Sequence, residues 1–301
     1  MIRQGLAVLT VAAALVTTSC SDDGPRSGQG ADPSASPGSS GSPGSPATAD
    51  GTIDGMFDVG GHSLYLHCEG TGSPAVVYLH GSIEDAAFPA HTSAAGFSKL
   101  LAPEQRVCTY DRRNVGSSDT VDAVQLPEDA LSDMHTLLEV AEVAPPYVLV
   151  GASFGGMLAY LYANEHPDQV VGMVLLDAMF PDELSLEHLF APEDTYEAFS
   201  EEDEATGLER ISHFKVLTAG QGFIGREPRI PVTYLASDTE GYEDNDYGIP
   251  EYDRRILELQ AAYVDRFAPG KLIRVDAPHF MEPAIPDQIA AEVEAVIELT
   301  G

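Results

Sequence analysis

Tryptophan is absent from the 301 residues, and lysine occurs only at Lys99, Lys215 and Lys271. Lacking tryptophan, the chain has no copy of the commonest stacking platform for sugars. Basic residues number 15 against 48 acidic ones, a formal net charge of -33. So acidic a surface repels phosphate backbones, which excludes nucleic acid as an expected partner and serves solubility instead. The nine histidines and three cysteines show no metal-ligand spacing. His62 and His67, for example, would point to opposite faces of one strand. There is no phosphate-cradling Gly-Lys loop, no dinucleotide fingerprint and no internal repeat, so neither cofactor nor metal is expected.

What is present begins with an address. MIRQGLAVLTVAAALVTTSC sets Arg3 before an apolar stretch from Leu6 to Val16, and small residues lead on to Cys20. The stretch is too short to span a bilayer, and residues 1–19 read as a secretory signal peptide. It also resembles the bacterial lipoprotein signal. That resemblance implies lipidation of Cys20 and anchoring to the outer face of a bacterial cell membrane. Thr17 stands where that signal usually has leucine, and cleavage with release is the alternative. Residues 20–51, rich in Gly, Ser and Pro, carry too little apolar surface to fold and read as a flexible tether.

Residues 52–301 are enough for one large α/β domain. Strands are expected at FDVGG, SLYLHC, AVVYLHG, RVCTYDR, YVLVGAS, VVGMVLLDA, PVTYLAS and KLIRVDA. The first two lie too close for a crossover helix and predict an antiparallel hairpin. Helical patterns follow at AGFSKLLA, PEDALSDMHTLLEVAE, GGMLAYLYANEH and IPDQIAAEVEAVIELT, giving a mostly parallel sheet with helices on its faces. Between strands six and seven, Met179 to Arg229 form an insertion with helical pieces SLEHLF and LERISHFKVL. It reads as a cap. From Asp182 through Glu209 it holds eleven acidic residues and no Lys or Arg, so a cap over a pocket should disfavour anions. Cys68 and Cys108 fall in predicted strands; in an exported protein they form either a disulfide or two buried thiols.

Within YVLVGASFGGMLAYLYANEHP, Gly151-Ala152-Ser153-Phe154-Gly155 joins a buried strand to a helix with no loop. Such a turn forces Ser153 into strained dihedrals and lifts its hydroxyl out at the carboxyl edge of the sheet. Glycines two residues to either side are needed because side chains there would strike the neighbouring strand and helix.

In this stretch the sequence resembles the α/β-hydrolase family, across nearly all of residues 52–301. VVYLHGS ends the third strand with His80-Gly81, as the family's oxyanion loop does. YDRRNVGSSD is similar to the family's loop after the fourth strand, with Asn114 in place of its first glycine; Asn tolerates left-handed dihedrals. VDAPHF follows the last strand where the family keeps its catalytic histidine. The resemblance implies an eight-stranded α/β-hydrolase fold with a small helical cap. It implies Ser153 as nucleophile, His279 as its base, and the amides of Ser82 and Phe154 as oxyanion donors. His80 would brace that loop. The acid orienting His279 is Asp177 after strand six, or Asp238 or Glu240 after strand seven. A neutral or cationic small-molecule acyl substrate is expected, with cleavage of an ester or related bond. A prolyl-type aminopeptidase using cap carboxylates to hold an ammonium, and a catalytically silent binding protein, are the alternatives.

Overall fold

The computed structural model describes residues 51–83, 90–200, 207–238 and 249–301. The proposed signal, Cys20 and all of the tether but Gly51 lie outside them, as does Glu240. Eight strands form one sheet in the order β1-β2-β4-β3-β5-β6-β7-β8. They are β1 (Ile53–Asp58), β2 (Ser63–Glu69), β3 (Ala75–Leu79), β4 (Val107–Tyr110), β5 (Tyr147–Ala152), β6 (Val170–Leu176), β7 (Val232–Ser237) and β8 (Gly270–Val275). β2 pairs antiparallel with β1 and with β4, and the remaining pairs are parallel.

The first strand lies earlier than FDVGG. Gly60 and Gly61 both have positive φ, and their amides donate to Asp58 Oδ1 at 2.8 and 3.0 Å. FDVGG is therefore the strand's end and its turn, built on an aspartate that caps two glycine amides.

The central strands are apolar at nearly every position because both faces are covered. Val76, Tyr78, Val148, Val150, Val174 and Leu176 enter one core cluster, and Val77, Leu79, Leu149, Met173 and Leu175 the other. That alternation is the two-residue period of a strand. The first cluster is closed by α1 (Ala90–Leu101) and α8 (Pro286–Glu298), the second by α2 (Pro127–Val140) and α3 (Phe154–Glu165) among others. Cys68 and Cys108 oppose each other across β2 and β4 with Cα atoms 4.1 Å apart, and they are joined by a disulfide.

The insertion after β6 carries α4 (Glu183–Phe190), α5 (Glu193–Ser200) and α6 (His213–Gln221), and α7 (Pro250–Val264) follows β7. LERISHFKVL is helical only from His213. Ser212 caps α6 by accepting from the Lys215 amide at 3.2 Å, and the Ile211 backbone forms a bridge to Gln125. No helix among the described residues is long and apolar enough to cross a membrane.

Candidate active site

The carboxyl ends of β3, β5, β6 and β8 converge on one edge of the sheet, the usual place for a site in a parallel α/β protein. β5 ends at Ala152, and α3 begins at Phe154, so Ser153 alone makes the turn, at φ 48° and ψ -121°. Such a conformation costs a non-glycine residue about 1–3 kcal/mol and persists only where its surroundings enforce it. Here the Ser153 amide donates to Leu176 O at 3.0 Å, while its carbonyl accepts from the Gly156 and Met179 amides at 2.9 and 3.0 Å. The flanking glycines are sterically required. A Cβ on Gly151 would lie 2.5 Å from Gly156 Cα, and one on Gly155 would lie 2.2 Å from Leu79 O.

Asp177 follows β6 directly, also at positive φ (40°). Its Oδ2 accepts a hydrogen bond from His279 Nδ1 at 2.7 Å, and its Oδ1 accepts from the Ser237 amide at 3.1 Å. The Ser237 hydroxyl in turn donates to Ala277 O at 2.6 Å. Ser237 thus ties the acid to the loop that carries the histidine. Asp177 is 13% exposed and His279 52%, so the acid is covered while the imidazole remains accessible. Asp238 stands apart: it is exposed at the end of β7, and its amide goes to Val275 O. A contact to Asp177 fixes Nδ1 as the protonated nitrogen of a neutral His279, leaving Nε2 as the potential base.

Ser153, His279, Ser82 and Gly81 line one cavity of about 230 Å³, with Ile83 and Phe280 adding apolar wall. The loop at the end of β3 is fastened from behind. Arg112 donates from Nη1 to His80 O at 2.6 Å and from Nη2 to Gly81 O at 2.7 Å. His80 Nδ1 also reaches Gly81 O at 2.7 Å, so this nitrogen carries the proton. Its Nε2 accepts from the Arg112 amide at 3.4 Å. Burial, then the Arg112 charge, pushes the His80 pKa down to about 3, so this ring is a neutral brace. The peptide after Gly81 is trans, and a trans amide points its N–H opposite to its carbonyl. With Gly81 O held by Arg112, the Ser82 N–H faces away from the guanidinium.

Arg112 is itself held by the cap. Glu209 accepts from Arg112 Nε at 2.5 Å and Nη2 at 2.8 Å, and from the Ile83 amide at 3.1 Å. Burial raises the Glu209 pKa, but the guanidinium more than offsets this and leaves it below the ordinary range. His213, at the start of α6, packs on the Phe154 ring at 4.5 Å, and its Nε2 lies 2.8 Å from Ser82 Oγ. Cap residues therefore touch both residues expected to supply oxyanion donors. Arg113 turns the other way, to Asp133 on α2 at 2.5 and 2.7 Å. Asn114 does adopt a left-handed conformation, φ 68°, and its Oδ1 accepts from the Val121 amide at 2.7 Å.

Sequence reading missed Ser237, Glu209 and His213. Ser212 as a helix cap was the one local signal near the last two; the contacts themselves span long stretches of chain. Among the described residues no group of three or more His, Cys, Asp or Glu is placed to hold a metal ion.

Residues 74–267 match the family model described as alpha/beta hydrolase fold, so the chain belongs to that family. The sn-1-specific diacylglycerol lipase ABHD11 of Mus musculus is 36% identical over 107 residues, 35% of this chain and 32% of that one. A proline iminopeptidase of Arabidopsis thaliana is 32% identical over 119 residues, 38% of this chain and 29% of that one. The chain thus spans about a third of the length of either relative. Among solved structures, Est1E of Butyrivibrio proteoclasticus, with ferulic acid bound, superposes with a TM-score of 0.58. It is 14% identical, over 81% of this chain and 99% of that one, a likeness of fold.

Proposed function

We propose that the protein is an exported serine hydrolase that cleaves esters or related acyl bonds through Ser153, His279 and Asp177. The observation that carries this reading is the 2.7 Å contact of His279 Nδ1 with Asp177, at the cavity that Ser153 lines from its strained turn. Ser153 attacks the acyl carbonyl while His279 Nε2 takes its proton. Asp177 holds the tautomer and stabilises the imidazolium. The tetrahedral oxyanion is met by the Ser82 and Phe154 amides, the first aimed by Arg112. The imidazolium then protonates the leaving group, the acyl-enzyme forms, and water repeats the sequence to release the acid. Export follows from residues 1–19 and anchoring from lipidation of Cys20, as proposals on the sequence alone.

The aminopeptidase reading draws on the named iminopeptidase relative and the acidic cap. It requires a carboxylate facing the cavity, and among the described residues no carboxylate of the cap lines the cavity of Ser153 and His279. We therefore favour ester cleavage. Purified protein should hydrolyse p-nitrophenyl esters of short acids at least about tenfold better, in kcat/KM, than aminoacyl-p-nitroanilides. The opposite order would make it an aminopeptidase, and hydrolysis of neither would favour the binding protein.

A further inference from the structure

The cavity that holds Ser153 and His279 has a polar wall with no part in this mechanism. Tyr78 on β3, Ser93 on α1 and Glu282, three residues beyond His279, all line it. They sit within the apolar cluster of Phe97, Ala94 and Met281, and Glu282 is only 1% exposed.

A carboxyl group buried among such neighbours needs a full set of hydrogen bonds. The Tyr78 hydroxyl donates to Glu282 Oε1 at 2.5 Å, and the Ser93 hydroxyl donates to Ala90 O at 2.8 Å. Tyr78 and Ser93 oxygens are 3.2 Å apart. Each hydroxyl proton is then committed, and none is left for Glu282 Oε2, which has no partner. As a carboxylate, Glu282 offers an unsatisfied acceptor; protonated, it offers an unsatisfied donor. Burial raises its pKa, outweighing the hydrogen bonds from Tyr78 and from its own backbone amide. Tyr78 alone does not demand an acid, since an amide oxygen would accept its proton equally well.

We propose that Glu282, supported by Tyr78 and Ser93, is a substrate subsite that accepts a hydrogen bond from a hydroxyl or ammonium group on a short acyl chain. The inference rests on the serine-hydrolase reading and narrows its substrate class. A carboxylate repels anionic chains, and a purely apolar chain would leave Oε2 unpaired in the complex. A cavity of about 230 Å³ admits only a short chain beside the reacting ester.

The test compares p-nitrophenyl esters of 3-hydroxypropanoate, β-alanine and butanoate, acyl chains of equal heavy-atom length. In the wild type one or both donor-bearing esters should exceed butanoate in kcat/KM by about tenfold or more, since a missing partner for a buried polar group is strongly discriminated. Glu282→Leu should abolish or invert that order, read as the ratio of kcat/KM between the three chains within the same variant. Glu282→Gln, of the same shape, should lower any preference for the ammonium chain and serves if the leucine variant does not fold. No preference in the wild type, as when an internal water satisfies Oε2, overturns the subsite. So does a preference unchanged in the variants. Failure of the wild type to react with fluorophosphonate overturns the hydrolase reading instead. The subsite is then read by calorimetry on Ser153→Ala protein with 3-hydroxypropanamide, β-alaninamide and butanamide. The same order is expected, and equal affinities overturn it.

Discussion

Replacing Glu209 with Gln would separate what the cap does for stability from what it does for the proposed chemistry. Arg112 and Glu209 are both almost fully covered, with side chains 5% and 8% exposed. Removing one partner of such a pair strands the other charge, at a cost of about 3–5 kcal/mol. For a domain of this size that corresponds to a Tm lower by about 6–20 °C. Catalysis should fall as well. Arg112 freed from Glu209 holds His80 O and Gly81 O less firmly, and loss of one aligned oxyanion donor costs about 10²-fold in kcat. The double variant Arg112→Met, Glu209→Leu distinguishes the two effects. An apolar pair should restore most of the Tm. It should not restore kcat, because nothing then holds the Gly81 carbonyl. The pH dependence has a definite sign. The folded-state pKa of Glu209 is depressed below its ordinary 4.5, so its contribution is fully present above that value. It is lost as pH falls through the folded pKa. The Tm gap between wild type and Glu209→Gln should accordingly be widest near neutrality and close in acid. Calorimetry with a short-chain ester assay measures both quantities. A Glu209→Gln protein melting within about 2 °C of the wild type would refute the stability argument. Recovery of kcat in the double variant would refute the brace.

Further outcomes follow from the same geometry. Asp177→Asn should lower kcat by about 10⁴-fold through the wrong histidine tautomer, while Asp238→Asn leaves it within about twofold; full activity in Asp177→Asn would remove it from the mechanism. Gly155→Ala should destroy esterase activity, because its Cβ meets Leu79 O at 2.2 Å and His80 O at 2.4 Å, and the loop must move. Wild-type kcat in that variant would show the turn to be less constrained than its contacts require. Substituting Cys68 and Cys108 by Ala removes a cross-link across a sequence separation of 40. Chain entropy assigns it about 4 kcal/mol, so denaturation by urea should occur at clearly lower concentration, and an unchanged midpoint would contradict this.

Local signals made much of the fold legible. Short continuous apolar runs rich in β-branched residues marked the central strands, and the family's motifs sit where strand, turn and helix meet around Ser153. β1 was misplaced because IDGMFD is a half-exposed edge strand with little alternation, whereas the conspicuous FDVGG owes its glycines to the turn. LERISHFKVL has helical periodicity throughout, yet Glu209 is drawn out of helix by Arg112, 97 residues away in sequence. Arg112 and Glu209 were each visible, one in a motif and one among eleven acids, but nothing local says that they meet. The choice among Asp177, Asp238 and Glu240 was open for a similar reason. Both strand ends offer an acid, and it is the long-range placement of His279 and Ser237 that brings Asp177 into contact. Glu282 gave no sign at all, since its meaning lies in an absent partner.

The central claim is that Ser153 is a nucleophile activated by His279, and mass spectrometry after fluorophosphonate treatment tests it most directly. The account predicts one adduct, on the peptide containing Ser153, which disappears in Ser153→Ala and is strongly slowed in His279→Ala. An intact, natively melting wild type that takes up no label, or carries it on another residue, would contradict it.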